Sequence, residues 1–152
     1  MQEVKFTIYG EPMGKGRPRV SLHKYTRGDG TEGTFSRAYT PKETVNYETL
    51  VRTEYRLQCG EHCFPDKQPL EMKIMAYYKI PKSATKKLRE KMLSFTARPT
   101  KKPDSDNVIK IIADSLNQVA YHDDSQIVDV TFRKFYSENP RVEVKIKGLE
   151  EQ

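Results

Sequence analysis

The sequence predicts an α+β fold: a single domain with a mixed β-sheet, helices packed against it and a C-terminal β-hairpin. Three observations lead there. Leu70, Met72, Ile74, Ala76, Tyr78 and Ile80 alternate with Glu71, Lys73, Met75, Tyr77 and Lys79, the period of a strand with one buried face. Val108, Ile111, Ile112, Leu116 and Val119 recur at the spacing of one helix face. Val142, Val144 and Ile146 alternate again near the end of the chain. No internal repeat or linker interrupts the sequence, so residues 1–152 are expected to form one domain.

The elements follow in order. Val4, Phe6 and Ile8 alternate with Lys5, Thr7 and Tyr9 and predict a first strand. Gly10 to Arg19 is a Gly/Pro/basic loop, and Gly-rich Thr26 to Gly33 is expected to be exposed and mobile. Thr40 suits an N-cap and Pro41 a first helical turn, which predicts a helix to about Leu57 with Val45, Leu50 and Leu57 among its apolar positions. After the 70–80 strand, Ser83 is expected to cap a short basic helix ending near Met92. A Pro-containing loop, Phe95 to Pro103, leads to a helix over 107–119. Ile127 to Tyr136 then reads as a strand with Val128, Val130 and Phe132 inward. Ser137 to Pro140 is a turn, and Arg141 to Lys147 is the strand that completes the hairpin.

Charge narrows the function. The chain carries a net +6 and a pI near 9.2, which favours a polyanionic partner. The positive charge is blocked. Lys15, Arg17, Arg19, Lys24 and Arg27 form one block; Lys79, Lys82, Lys86, Lys87, Arg89, Lys91, Arg98, Lys101 and Lys102 form another. No apolar run is long enough to span a bilayer, and the N-terminus lacks a signal-peptide core, so a cytoplasmic protein without membrane contact is expected. Cys59 and Cys63 are too few for a disulfide scaffold. With His62 they form at most half a zinc site, so two reduced thiols are expected.

Against this basic background, Asp104, Asp106, Asp123 and Asp124 flank the 107–119 helix, with Lys110 one turn along from Asp106. In an extended segment, side chains at i and i+2 point the same way, which would converge Asp104 and Asp106 on one ion. Hard cations such as Mg²⁺ take oxygen ligands, and Asp123 or Asp124 can supply a third. Periodicity does not choose between these two, although only Asp124 shares a strand face with Val128. Each residue also has a plain role. Asp106 or Ser105 can cap the helix, Lys110 can pair with Asp106 or Asp114, and Asp123-Asp124 can be a turn. Capping, however, needs only one acid. Asp114 is assigned to ion pairing or to supporting the ligands rather than to the metal.

The set Pro103-Asp104-Ser105-Asp106-Asn107-Val108-Ile109-Lys110, then Asp114-Ser115-Leu116-Asn117 and Asp123-Asp124-Ser125-Gln126-Ile127, resembles the catalytic core of the RusA-type Holliday junction resolvases. Gly10 to Arg19 looks like that family's N-terminal basic loop, and Tyr39-Thr40-Pro41-Lys42 with Tyr47-Glu48 like the start of its first helix. The resemblance implies a homodimeric endodeoxyribonuclease that nicks four-way DNA junctions symmetrically with Mg²⁺, for which Mn²⁺ can substitute. Carried over by position, Asp104, Asp106 and Asp124 are the metal carboxylates, Asp123 is an adjacent candidate ligand and Lys110 is the essential lysine. Lys15, Arg17, Arg19, Lys101 and Lys102 are the expected DNA contacts. Some members place Arg before the first aspartate; here Pro103 stands there, with Lys101 and Lys102 behind it. The competing expectation is a non-catalytic branched-DNA-binding protein of a prophage or mobile element, which the charge blocks alone would support equally well.

Overall fold

The computed structural model describes residues 2–150; Met1, Glu151 and Gln152, which the expected domain included, lie outside the described residues. β1 (Glu3–Tyr9), β4 (Leu70–Lys79), β5 (Ile127–Ser137) and β6 (Arg141–Gly148) form a mixed sheet in the order β1-β6-β4-β5. β2 (Arg19–Thr26) and β3 (Glu32–Tyr39) pair only with each other, as an antiparallel ribbon. The helices are α1 (Lys42–Cys59), α2 (Lys86–Leu93) and α3 (Ser105–Ser115), and a 3-10 turn covers Asp124–Gln126.

The core is built by the alternations read in the sequence. Leu70, Met72, Ile74, Ala76 and Tyr78 of β4 meet Val142, Val144 and Ile146 of β6 and Phe6 and Ile8 of β1. α1 and α3 cover this layer with Tyr47, Val51 and Tyr55, and with Val108, Ile111 and Ile112. Phe6 and Tyr55 meet edge to face at 5.3 Å. No helix among the described residues is long and apolar enough to cross a membrane. Cys59, at the end of α1, and the exposed Cys63 are both free thiols.

The structure corrects several expectations. The last two strands are consecutive, antiparallel and joined by a short turn, but they do not hydrogen-bond to each other. β4 lies between them, parallel to β5 and antiparallel to β6. The apolar alternation of β4 is the reason: a strand this rich in buried residues occupies the centre, and the 137–140 turn is long enough to step over its end. β5 is thereby an edge strand, and Val128 and Val130, expected inward, are exposed. On α1 the buried face is Thr44, Tyr47, Val51 and Tyr55, while Val45, Leu50 and Leu57 face solvent, Leu57 at 74%. Tyrosine burial outweighed the aliphatic residues because its ring buries more area than theirs.

Helix ends also moved. Pro41, not Thr40, is the α1 N-cap, and no side chain caps it. Thr85, not Ser83, caps α2, accepting the Leu88 N–H at 3.2 Å. α3 begins at Ser105 and stops at Ser115, short of Val119, because Gln118 takes a left-handed backbone (φ 63°) and Asn117 bridges to Tyr121. The segment expected to be a mobile loop at 26–33 is the turn of the β2–β3 ribbon. Its two strands were not foreseen, because nearly every residue on both faces is exposed and so leaves no polar–apolar alternation to read.

The two faces of α1 give a direct check. Val51→Ala is expected to destabilise the fold by about 2 kcal/mol or more, and Leu57→Ala by less than about 0.5 kcal/mol, in urea unfolding.

Candidate active site

Asp104 is the N-cap of α3, in extended conformation (φ −70°, ψ 156°), yet its side chain makes no capping hydrogen bond. The carboxylate is thus not spent on the helix end. Asp106 lies in the first helical turn, so the expected i, i+2 alignment of an extended segment does not apply. Even so, Asp104, Asp106, Lys110 and Asp114 line one cleft of about 410 Å³, opposite Lys15, Gly16, Arg17 and Pro18. Helical spacing puts 106, 110 and 114 in a row, and the cap adds 104 at its head.

The basic loop is clamped onto this row. The Lys15 N–H donates to the Asn107 carbonyl at 3.0 Å, and the Gly16 N–H to Thr44 Oγ1 of α1 at 3.0 Å. A Cβ at Gly14 would come within 2.9 Å of the Pro103 side chain, so only glycine lets the loop lie this close. Between the two anchors, Lys15 Nζ makes an ion pair with Asp114 Oδ2. This is the pairing role expected of Asp114, with a partner that was expected to bind DNA. Lys110 has no carboxylate within ion-pair distance among the described residues, so neither expected helix pair forms.

The two acids at 123–124 have different fates. Asp123 caps the 3-10 turn, accepting the Ser125 N–H at 3.1 Å and the Ser125 hydroxyl; these bonds hold its carboxyl below the usual range. Asp124 starts that turn rather than a strand, so it shares no strand face with Val128. Its N–H donates to Asn117 Oδ1 at 2.8 Å. Burial, then the adjoining Asp114 carboxyl, push the Asp124 carboxyl above its ordinary value. Asp114 therefore links the Lys15 ammonium to the Asp124 carboxyl. Among the described residues, no three His, Cys, Asp or Glu side chains close into an ion cage as they stand.

Three supporting residues escaped the sequence reading. The buried Gln126 accepts the backbone N–H groups of His122 and Asp123 and donates to the carbonyls of Pro65 and Gln68, so every hydrogen-bonding site of its amide is used. Tyr121 is fully buried and donates to the Ala113 carbonyl at 2.6 Å, tying the turn to the end of α3. Tyr78 of β4 donates to the Pro103 carbonyl at 2.6 Å and fixes the approach to Asp104; burial raises its phenol to about 12. The phase of Tyr78 in β4 was legible in the sequence, but its hydroxyl partner was not. Lys102 lines an adjoining cleft with Asp104 and Arg17, whereas Lys101 lies outside it and uses its carbonyl to receive Lys134 Nζ at 2.9 Å.

The sequence that folds into this site matches known proteins over most of its length. The family described as Endodeoxyribonuclease RusA matches residues 9–147. The chain belongs to the RusA endodeoxyribonuclease family. The match takes in the basic loop, the carboxylate row and all six strands at least in part. An uncharacterized protein, YqaN, of Bacillus subtilis (strain 168) is 39% identical over 98% of this chain and 99% of its own length. The crossover junction endodeoxyribonuclease rusA of Lactococcus phage r1t is 28% identical over 71% of this chain and 75% of its own length.

Two outcomes test the site's construction. Gln126→Leu is expected to cost about 2–4 kcal/mol in chemical unfolding, because it strands backbone donors and acceptors. Asp124→Asn is expected to raise the melting temperature at pH 7, by on the order of 1–2 °C. The sign follows from the raised carboxyl: the folded protein holds that proton more tightly than the unfolded chain. Its penalty is complete above the folded value and vanishes below the ordinary aspartate range, so the gain should shrink as pH falls toward about 4.

Proposed function

We propose that this protein is a Mg²⁺-dependent endonuclease that resolves four-way DNA junctions, acting as a homodimer that places paired nicks. The observation that carries it is the single cleft in which Asp104, Asp106 and Asp114 face Lys15 and Arg17, with Asp124 against Asp114. Family membership supports DNA as the substrate, and the junction-cutting relative from the Lactococcus phage supports the branched form.

The residues suit a hard divalent cation. All the donors are carboxylate oxygens, and Mg²⁺ characteristically takes few protein ligands and keeps several waters, so a closed protein cage is not needed. Asp104, Asp106 and Asp124 would hold it, with Asp114 supporting Asp124; Asp123, committed to Ser125, is the weaker candidate. When bound, the ion supplies Lewis-acid polarisation of the phosphoryl oxygen and a water more easily deprotonated than bulk. The protein does the rest. Lys110, without an ion-pair partner among the described residues, stands in the same helix row and would meet the charge that develops on the scissile phosphate. Lys15, Arg17, Arg19, Lys101 and Lys102 neutralise flanking phosphates, which positions the duplex without reading its sequence.

The decisive experiment is cleavage of a labelled synthetic junction with and without Mg²⁺. Asp104→Asn and Asp124→Asn are each expected to abolish nicking while gel-shift affinity for the junction survives; nicking retained in both variants overturns the assignment. Lys110→Ala should lower the cleavage rate on the order of a hundredfold with little loss of binding. Arg17→Ala should weaken binding and reduce the salt slope by about 0.9. Sedimentation of the free protein reads the dimer.

A further inference from the structure

The β2–β3 ribbon contributes nothing to the core, and all of its residues except the half-buried Ser21 and Gly33 are exposed. Its two faces differ in chemistry. Register places Arg19 opposite Tyr39, Ser21 opposite Arg37, His23 opposite Phe35 and Tyr25 opposite Gly33, so these residues share one face. That face holds four rings, two strand arginines and no carboxylate. The reverse face, with Val20, Leu22, Lys24 and Glu32, has no ring at all.

Three of them, His23, Phe35 and Tyr25, form a continuous row. His23 stacks on Phe35 with centroids 5.1 Å apart, Tyr25 lies 6.0 Å from Phe35, and the Arg27 guanidinium sits 5.4 Å from the Tyr25 centroid. The backbone is shaped to this row. A Cβ at Gly33 would meet the Tyr25 ring at 2.5 Å, so Tyr25 lies flat across the ribbon only because residue 33 is glycine. A flat, solvent-facing row of rings flanked by guanidinium groups is the chemistry that takes up unstacked nucleic-acid bases: the rings accept base faces and the arginines meet phosphates. Its positive charge, unrelieved by any acid on the face, favours a polyanion over a second copy of the same face.

Position joins the ribbon to the cleft. β2 begins at Arg19, directly after Pro18 of the cleft wall. β3 ends at Tyr39, close to Pro41, whose ring would meet a Cβ at Gly16 at 3.1 Å. A DNA strand leaving the carboxylate row past Lys15 and Arg17 therefore meets the root of the ribbon.

We propose that the His23/Tyr25/Phe35 face of the β2–β3 ribbon binds unpaired bases of branched DNA at the branch point, and so confers preference for junctions over linear duplex. The proposal rests on branched DNA being the substrate. Being exposed, the three rings can be removed with little effect on folding.

The test compares the full-length protein with His23→Ala/Tyr25→Ala/Phe35→Ala and with the reverse-face control Val20→Ser/Leu22→Ser. Binding is measured without divalent metal to a four-way junction, to a linear duplex of equal length and to an oligothymidine. The triple variant is expected to bind the junction and the oligothymidine about tenfold or more weakly. Its duplex affinity and the reverse-face control should stay near wild type. Phe35→Leu, which keeps apolar bulk but loses the ring, should show the same selective loss in smaller measure. Unchanged junction affinity, an equal loss on duplex, or a fall from dimer to monomer in sedimentation overturns the proposal, the last by assigning the face to a second copy. Wild-type protein that binds junctions through these rings but does not nick them with Mg²⁺ would sink the nuclease function and leave the ribbon's role standing.

Discussion

Like charges held close together repel unless something positive stands between them or one is neutralised, and the carboxylate group at 104–124 is organised around that constraint. Asp114 and Asp124 adjoin, and the Asp124 carboxyl is raised as a result of burial and of this neighbour. The protein holds the pair with a cation of its own: Lys15, brought in by a loop pinned at both sides, to Asn107 on α3 and to Thr44 on α1. The glycines at 14 and 16 allow the loop to come this near. One electrostatic need thus explains a loop path, two glycines and the packing of two helix starts. Holding the two carboxyls together costs the folded state stability wherever Asp124 is ionised.

The scaffold beneath is made rigid where the acids need it. β4 occupies the middle of the sheet, and Tyr78 reaches from it to Pro103, so the head of the carboxylate row is referenced to the most buried strand. At the other end, Gln126 and Tyr121 reference the Asp124 turn to loop 65–68 and to the end of α3. Both ends of the site are therefore tied to the core through buried hydrogen-bonding side chains. Loops carry function well when rigid elements position them.

The exposed parts serve a different purpose. The β2–β3 ribbon and the aliphatic residues of α1 that face solvent add nothing to the core. They present surface, and on the ribbon that surface is aromatic on one side only. The acids catalyse in the proposed function, while the ribbon and the basic loop supply grip.

How much of this was legible depended on how local each signal is. The β4 and β6 alternations, the apolar face of α3, the acids at its start and Lys110 were plain in the sequence, because burial imposes a period and a helix row imposes a spacing. Several things needed the tertiary structure. Sequence cannot tell that β4 intervenes between β5 and β6, since strand order depends on which neighbours bury the most surface rather than on chain proximity. It cannot tell that Asp123 caps a turn while Asp124 meets Asp114, because adjacent identical residues differ only in where the backbone aims them. Nor could it pair Lys15 with Asp114, two charges joined by nothing but the clamping of a loop across helix ends. The sequence by itself determined which acids and which lysine are present and at what spacing. The fold decided which of them meet, because contact is a property of packing and not of order along the chain.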